Sequence, residues 1–385
     1  MNEQGPQRHS PLHDEHVALG ATMTPFAGWS MPLRYSSDLA EHTAVRTAAG
    51  LFDLSHMGEI AVRGPDAAAF LDHALVSAIR QVRPMHAKYT MICEPDGGVI
   101  DDLVVYRLAD DDFMVVANAS NVATVYDALV DRMSGFTVEL HDDSSSTALI
   151  AVQGPRAAEI LRATPGLQED PDGTAFADLR YYACLRMRFE GQPVLVGRTG
   201  YTGEDGYELW IEADRAVTLW RALLAAGQPF GLVPAGLAAR DSLRLEAGMP
   251  LYGNELDRTT TPYDAGLGRV VALDKPALVG PPDFVGRQAL VARAEAAPQR
   301  VLVGLAGETH RAARHGYAVL AGPDEGAPAI GVVTSGAPSP TLGHPVAMAY
   351  VAPAYAAAGT RLAVDVRGRA EPVRVVPLPF YRRPR

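Results

Sequence analysis

Cysteine is nearly absent from this chain: Cys93 and Cys184 are the only two in 385 residues. With no CxxC spacing between them, they support neither a disulfide framework nor a zinc knuckle. Cys93, in the apolar run Tyr89-Thr90-Met91-Ile92, reads as a small buried hydrophobe. Long apolar runs are missing too. None reaches the ~18 residues of a membrane span, and the opening stretch from Met1 to His16 is polar and offers no core segment. A cytoplasmic protein without a membrane partner is the expectation. Positive charge is in deficit: 34 Lys plus Arg against 45 Asp plus Glu leave a net charge of −11, which argues against non-specific nucleic-acid binding. An anionic ligand would need a locally basic pocket. What remains is an ordinary globular balance, 48% hydrophobic and 21% charged, at a length that calls for two or three domains.

The pattern along the chain is mixed α and β. Leu51-Phe52-Asp53-Leu54-Ser55-His56-Met57-Gly58-Glu59-Ile60-Ala61-Val62 reads as a turn into a strand, and Gly64-Pro65 as a turn opening a helix. The same phrase of strand, Gly-Pro and helix returns from Leu149 through Gly154-Pro155 to Leu161. This weak internal repeat suggests two related α+β units, each with helices on one face of an antiparallel sheet. Met114 to Asn118 reads as a strand and Val122 to Met133 as a helix, while Ala235 to Arg244 has the apolar spacing of a short buried helix. After about Leu278 the texture turns to Gly, Pro and short β-rich runs, the pattern of a small β-barrel or sandwich.

The phrase Gly97-Gly98-Val99-Ile100-Asp101-Asp102-Leu103-Val104-Val105-Tyr106 puts two carboxylates at the mouth of an apolar strand. The Gly pair reads as a hairpin turn. Side chains alternate along a strand, so Asp101 and Asp102 point opposite ways. Either both cap the turn or one faces a ligand. Asn118 lies on the strand expected next, where an adjacent-strand pairing would bring it to the same sheet end. The loop Arg198-Thr199-Gly200-Tyr201-Thr202-Gly203-Glu204-Asp205-Gly206 has neither dinucleotide nor P-loop spacing and reads equally as a tight capped turn. Beyond it, Glu208 is too costly to bury alone, so it stays at the rim or accepts a ligand's N–H groups. Arg240, inside an apolar helical segment, needs an anion: Asp241, Glu246 or a ligand carboxylate. His9, His13 and His16 approach metal spacing but lack a further ligand, and solvated side chains are expected. His56 has no nucleophile partner and reads as a buried, hydrogen-bonded histidine. Phe26-Ala27-Gly28-Trp29 fits a packed loop or the wall of a flat-ligand pocket.

Taken in order, these phrases resemble the glycine cleavage system T-protein family. The resemblance rests on Phe26-Ala27-Gly28-Trp29, Phe52-Asp53-Leu54-Ser55-His56-Met57-Gly58, the Gly97 to Asp102 phrase and the Arg198 to Gly206 loop. It continues in Ala238-Ala239-Arg240-Asp241-Ser242-Leu243-Arg244-Leu245-Glu246-Ala247-Gly248, Tyr252-Gly253-Asn254-Glu255, Thr334-Ser335-Gly336 and Ser339-Pro340-Thr341-Leu342. They span nearly the whole length. The resemblance implies a three-domain cloverleaf around a central folate channel, two α+β domains with antiparallel sheets and a C-terminal small β-barrel. By position the domains would be 1–52 with 142–277, 53–141, and 278–385.

The resemblance also implies an activity. An aminomethyltransferase passes the methylene carbon of the aminomethyl-lipoyl arm of H-protein to tetrahydrofolate and releases ammonia. Asp102 matches the catalytic Asp; Met57, Tyr89 and Asn118 match pocket residues. Glu208 would hydrogen-bond the pterin N–H groups, Arg240 would hold the folate's anionic tail or a neighbouring carboxylate, and Tyr381 is a loose match to a C-terminal aromatic. Tetrahydrofolate is then the co-substrate and lipoylated H-protein the partner, with no metal required. Because folate and H-proteins are anionic, Arg240 and Arg244, or Arg34, would have to outweigh the global charge at the docking mouth. Two relatives of the same fold define the alternatives: a folate-dependent demethylase of a small methylated substrate, and a non-catalytic folate-binding iron–sulfur assembly factor. The latter carries a reactive-cysteine motif that Cys93 and Cys184 do not resemble.

Overall fold

A computed structural model describes residues 7–170, 173–275, 284–324 and 326–384. The change of texture expected at residues 277–278 lies outside them, as do the first six residues. The chain forms two compact units: Met1–Asp72, Ile79–Tyr89 and Leu103–Arg240 make the first; His73–Ala78, Thr90–Asp102 and Asp241–Arg385 make the second.

The first unit is built on a seven-stranded sheet in the order Leu167–Glu169, Cys184–Phe189, Gln192–Gly197, Gly206–Glu212, Thr147–Gln153, Ala49–Asp53, Leu232–Pro234. All its pairs are antiparallel except the last, where Leu232 to Pro234 runs parallel to Ala49 to Leu51. Ala49–Asp53 is buried at every position, as a strand covered on both faces must be. Helices Ala157–Ala163 and Ala216–Gly227 close the core with Ile160, Leu161, Leu219, Trp220 and Leu223 against Leu51, Ile150, Val152 and Leu209. A smaller sheet orders Arg8–His9, Trp29–Arg34 and Thr22–Phe26. A five-stranded sheet runs His86–Cys93, Val99–Arg107, Asp112–Ala117, Gly58–Arg63, Glu139–Asp142.

The Gly-Pro repeat is a repeat of backbone. Gly64 and Gly154 have φ of +132° and +137°. In each case a Cβ would come within 2.5 Å of a carbonyl oxygen, of Thr137 and of Ala48 respectively. The carbonyl of each glycine then receives the N–H three residues on, Ala67 for Gly64 and Ala157 for Gly154, where helices Ala67–Ala74 and Ala157–Ala163 begin. Glycine is required twice for the same geometric reason.

Two expectations about the start of the chain fail. Leu12 is fully buried in the core of the first unit, so the segment is not a bare polar lead. His16 is also fully buried: its Nε2 meets Asp53 Oδ2 at 2.8 Å and its Nδ1 meets Tyr35 Oη at 2.8 Å. Ser10 Oγ donates to the same Asp53 oxygen at 2.5 Å, and Ser55 N to the other at 2.9 Å. Together these donors hold the Asp53 carboxyl below its ordinary range despite its burial. Of the three histidines read as solvated, His16 instead serves a buried polar network, while His9 is exposed as expected. His9 and His13 stack face to face at 3.7 Å.

The second unit carries a closed barrel of Val301–Gly307, Pro345–Val351, Ala329–Pro338, Ala318–Leu320, Arg361–Asp365 and Ala370–Val376. Leu305, Val319, Val333, Leu362 and Val364 fill it. Helix Leu237–Glu246 begins at the end of the first unit and continues into the second. No helix among the described residues is long and apolar enough to cross a membrane.

Candidate active site

The hairpin of Gln192–Gly197 and Gly206–Glu212 places Glu208 opposite Gly197, with Ala151 on its other side. Its half-buried carboxyl receives the Thr199 hydroxyl on Oε2, and Tyr106 Oη lies 3.4 Å from the same oxygen. Tyr106 Oη and Thr199 Oγ1 are 2.7 Å apart. Each hydroxyl has one proton. Thr199 gives its proton to Glu208, so the phenol gives its own to Thr199, and the chain runs Tyr106 to Thr199 to Glu208. Among the described residues both hydroxyls bear on Oε2, leaving Oε1 for another donor. Burial raises the Glu208 carboxyl above its ordinary range; Thr199, Arg240 and Tyr106 pull the other way.

Arg240 sets its guanidinium 4.7 Å from the Tyr201 ring centroid. Its helix start is fixed by the fully buried Glu41, which accepts Gly236 N at 2.9 Å on one oxygen and Tyr35 N and Ser36 N at 2.7 and 2.8 Å on the other. His56, 2% exposed, lies edge-on to Phe26 at 5.5 Å. Desolvation above all, with the Arg240 charge assisting, brings its imidazole down to about 4 against the pull of Asp53. It is a neutral histidine at physiological pH. It is buried as expected, but among the described residues its Nδ1 has no hydrogen-bond partner.

The Gly-rich loop is wound around one side chain. Gln153 Nε2 donates to Thr199 O at 3.1 Å and its Oε1 accepts Thr202 Oγ1 at 3.0 Å. A Cβ on Gly200 would lie 2.0 Å from that Oε1, and one on Gly206 2.4 Å from the amide carbon. Glu204 and Asp205, read from sequence as turn caps, pair with arginines instead: Arg46 with Glu204 at 3.0 Å, and Arg198 with both oxygens of Asp205 at 2.9 and 2.8 Å.

Met57 and Asn118 fall at one sheet end, one residue beyond the antiparallel pair Gly58↔Ala117. Both are half-buried, as is Tyr89 in strand His86–Cys93. The ladder between Val99–Arg107 and Asp112–Ala117 runs from Val104↔Val116 to Arg107↔Phe113. Asp102 lies two residues before that register and Asn118 two residues after it. Asp101 and Asp102 do take opposite faces: Asp101 is fully buried, Asp102 partly exposed. The alternative in which both carboxylates cap the turn fails, because both residues are inside the strand and Asp96 caps the turn, its Oδ1 accepting Gly98 N at 3.0 Å. Gly97 supplies φ of +88° there, and a Cβ on Gly98 would lie 2.2 Å from Arg258 O. Asp101 instead acts on Tyr252, whose phenol donates to Val99 O at 3.3 Å.

Arg244 cannot serve at a docking mouth. It is 1% exposed and spends its donors on Asp241, Glu255, Met249 O and Ser335. Arg34 is exposed, 3.5 Å from Asp38. Tyr381 is half-buried and its N donates to the carbonyl of Glu246 at 2.8 Å; the Glu246 carboxylate receives Ser339 and Thr341. Tyr106, Thr199 and Trp210 are the residues that sequence reasoning missed. For Tyr106 the signal was available, since it has the same strand parity as Asp102.

Residues 12–275 match the family described as the GCVT N-terminal domain, and residues 300–382 the glycine cleavage T-protein C-terminal barrel domain. The chain belongs to the glycine cleavage T-protein family. The aminomethyltransferase of Streptomyces coelicolor is 57% identical, and that of Geobacillus thermodenitrificans 42%, with at least 98% of each chain covered. Family membership extends to the fold: the crystal structure of glycine cleavage system aminomethyltransferase T from Bartonella henselae matches at a TM-score of 0.87 and 36% identity over 98% of both chains. The α+β sheets and terminal barrel are those of the family.

Proposed function

We propose that the protein is the aminomethyltransferase of glycine cleavage, moving the methylene carbon of the aminomethyl-lipoyl arm of an H-protein onto tetrahydrofolate with release of ammonia, in the cytoplasm. The observation that carries this reading is Glu208. Its Oε2 is occupied by the chain of hydroxyls, its Oε1 is available to the N–H edge of a pterin, and Arg240 lies close enough to act on it electrostatically. That donor and acceptor set fits a reduced folate.

Tetrahydrofolate supplies the ring nitrogens that take the one-carbon unit. The chain's own residues then divide the remaining work. Glu208 accepts from the ring, and Arg240 holds the anionic tail or a neighbouring carboxylate. Met57, Tyr89 and Asn118 contribute the pocket wall. Asp102 supplies a fixed negative charge where positive charge develops as ammonia leaves, a contribution that is strongest in a water-excluded site. The protein, aminomethylated lipoyl H-protein and tetrahydrofolate, mixed at saturation, should release ammonia. No ammonia under those conditions overturns the proposal.

A further inference from the structure

Glu59 is the least explained charged residue in the first unit. It follows Gly58 in strand Gly58–Arg63, is 2% exposed, and neither carboxyl oxygen reaches solvent or, among the described residues, a hydrogen-bond partner. Its backbone is pinned, with Glu59 N donating to Ser144 Oγ at 3.0 Å and Glu59 O accepting Asp143 N at 2.9 Å. The groups facing it are the Trp210 indole, from strand Gly206–Glu212, and the carboxylates of Asp142 and Asp143. None of these is a cation, and Asp143 is itself 3.9 Å from Arg63. Desolvation, with both aspartates adding to it, raises the Glu59 carboxyl well above its ordinary range; only the indole N–H opposes. Buried with no cation facing it, the carboxyl is held toward its protonated form, which offers one O–H donor and an acceptor oxygen.

Trp210 is 5% exposed, and among the described residues its Nε1 likewise has no hydrogen-bond partner. Its ring meets the Tyr106 ring edge-on, with centroids 4.9 Å apart at 69°. The two rings close over Gly197, where a Cβ would lie 3.0 Å from Tyr106 Oη and 3.1 Å from Trp210 Cζ3. Trp210 also shares the Glu208 face of its strand, two residues on. A contiguous line of side chains thus runs from Glu59 through the indole to the phenol, then to Thr199 and Glu208.

We propose that Glu59 is a positioning residue for Glu208: buried beside the Trp210 indole, it holds that ring against Tyr106 and so fixes the phenol at the head of the hydroxyl chain. This rests on the reading that Glu208 receives the folate ring. Ionised, Glu59 would draw the indole N–H toward itself and away from the Tyr106 contact, because no cation is there to answer the charge. Folate affinity should therefore weaken at alkaline pH.

The test is the affinity of the full-length protein for 5-formyltetrahydrofolate, a stable reduced folate, measured by calorimetry from neutral to alkaline pH. Circular dichroism and melting serve as fold controls. Glu59→Ala should weaken binding about tenfold at neutral pH. Glu59→Gln, which keeps an uncharged planar head group, should restore it and flatten the alkaline limb of the pH profile. Trp210→Phe, which keeps an aromatic ring but removes the N–H, should weaken binding and flatten the same limb without altering Glu59. A Glu59→Gln variant that folds but binds as poorly as Glu59→Ala, or a profile identical to that of the unsubstituted protein, overturns the inference. Should Glu59→Gln not fold, an unchanged alkaline limb in Trp210→Phe overturns it. Glu208→Gln separates the two claims. Undiminished binding there defeats the folate reading itself, whereas weakened binding there with no effect in the other variants defeats only the role of Glu59.

Discussion

Asp101 and Asp102 are adjacent carboxylates with opposite fates, and the difference lies in which face of their strand is covered. Asp101 is fully buried and Asp102 partly exposed. Asp102→Asn should lower the turnover rate by about 10²-fold or more, the loss expected for a preorganised charge, with the melting temperature held. Asp101→Asn should act in the reverse sense, on stability before rate. Equal rate losses in steady-state assays would show that the faces are misassigned. Strand alternation made their divergence legible; it could not say that Asp96 takes the turn. His56 offers a second test. Its folded pKa of about 4 is below the ordinary 6.5, so its neutral form stabilises the fold above pH 6.5 and that contribution is lost as pH falls toward 4. The shift corresponds to about 3 kcal/mol. Urea unfolding at pH 7 and pH 4 should show a loss larger by about that amount than in His56→Asn; parallel losses would refute the assignment. Glu208 and Arg240 stood out in the sequence because each is a charge in apolar company. Thr199 did not, since a hydroxyl's partner depends on a hairpin register that no local pattern reveals, and Tyr106 was legible only through the strand parity it shares with Asp102.

At the scale of elements, the two Gly-Pro turns are where the sequence spoke most directly. A repeated phrase predicted a repeated strand, turn and helix, and both turns use a glycine with φ above +130° under a carbonyl oxygen. Gly154→Ala combines a disfavoured backbone with a 2.5 Å approach to Ala48 O. It should cost about 2–3 kcal/mol, read as a lower urea midpoint with an unchanged slope. An unchanged midpoint would mean that the turn relaxes freely. The loop from Arg198 to Gly206 was only half legible. Its glycines announced a tight path, but the object they make room for is Gln153, some fifty residues earlier, and its acids pair with arginines rather than capping a turn.

Across the whole molecule, the order of family phrases was legible and the strand connectivity was not. Net charge told little, since Arg244, a candidate for local positive potential, is consumed in the interior of the second unit. A reduced folate at about 100 times its Kd should stabilise the protein by about 2.7 kcal/mol. For 385 residues melting in one transition, this is a rise of about 3 °C in Tm. Calorimetry that shows a larger rise in one transition and none in another would mean that the two units melt separately. Connectivity carries one more consequence, for synthesis. Strand Ala49–Asp53 lies between Thr147–Gln153 and Leu232–Pro234, and Glu41 waits for the N–H of Gly236. At 5–20 residues per second, roughly 10–40 s separate the making of that strand from the making of its last neighbour. Throughout that interval the nascent chain carries an unpaired edge on a strand that is apolar up to Asp53, the kind that recruits other chains. In the cell, the most vulnerable moment of this protein falls before residue 236 leaves the ribosome.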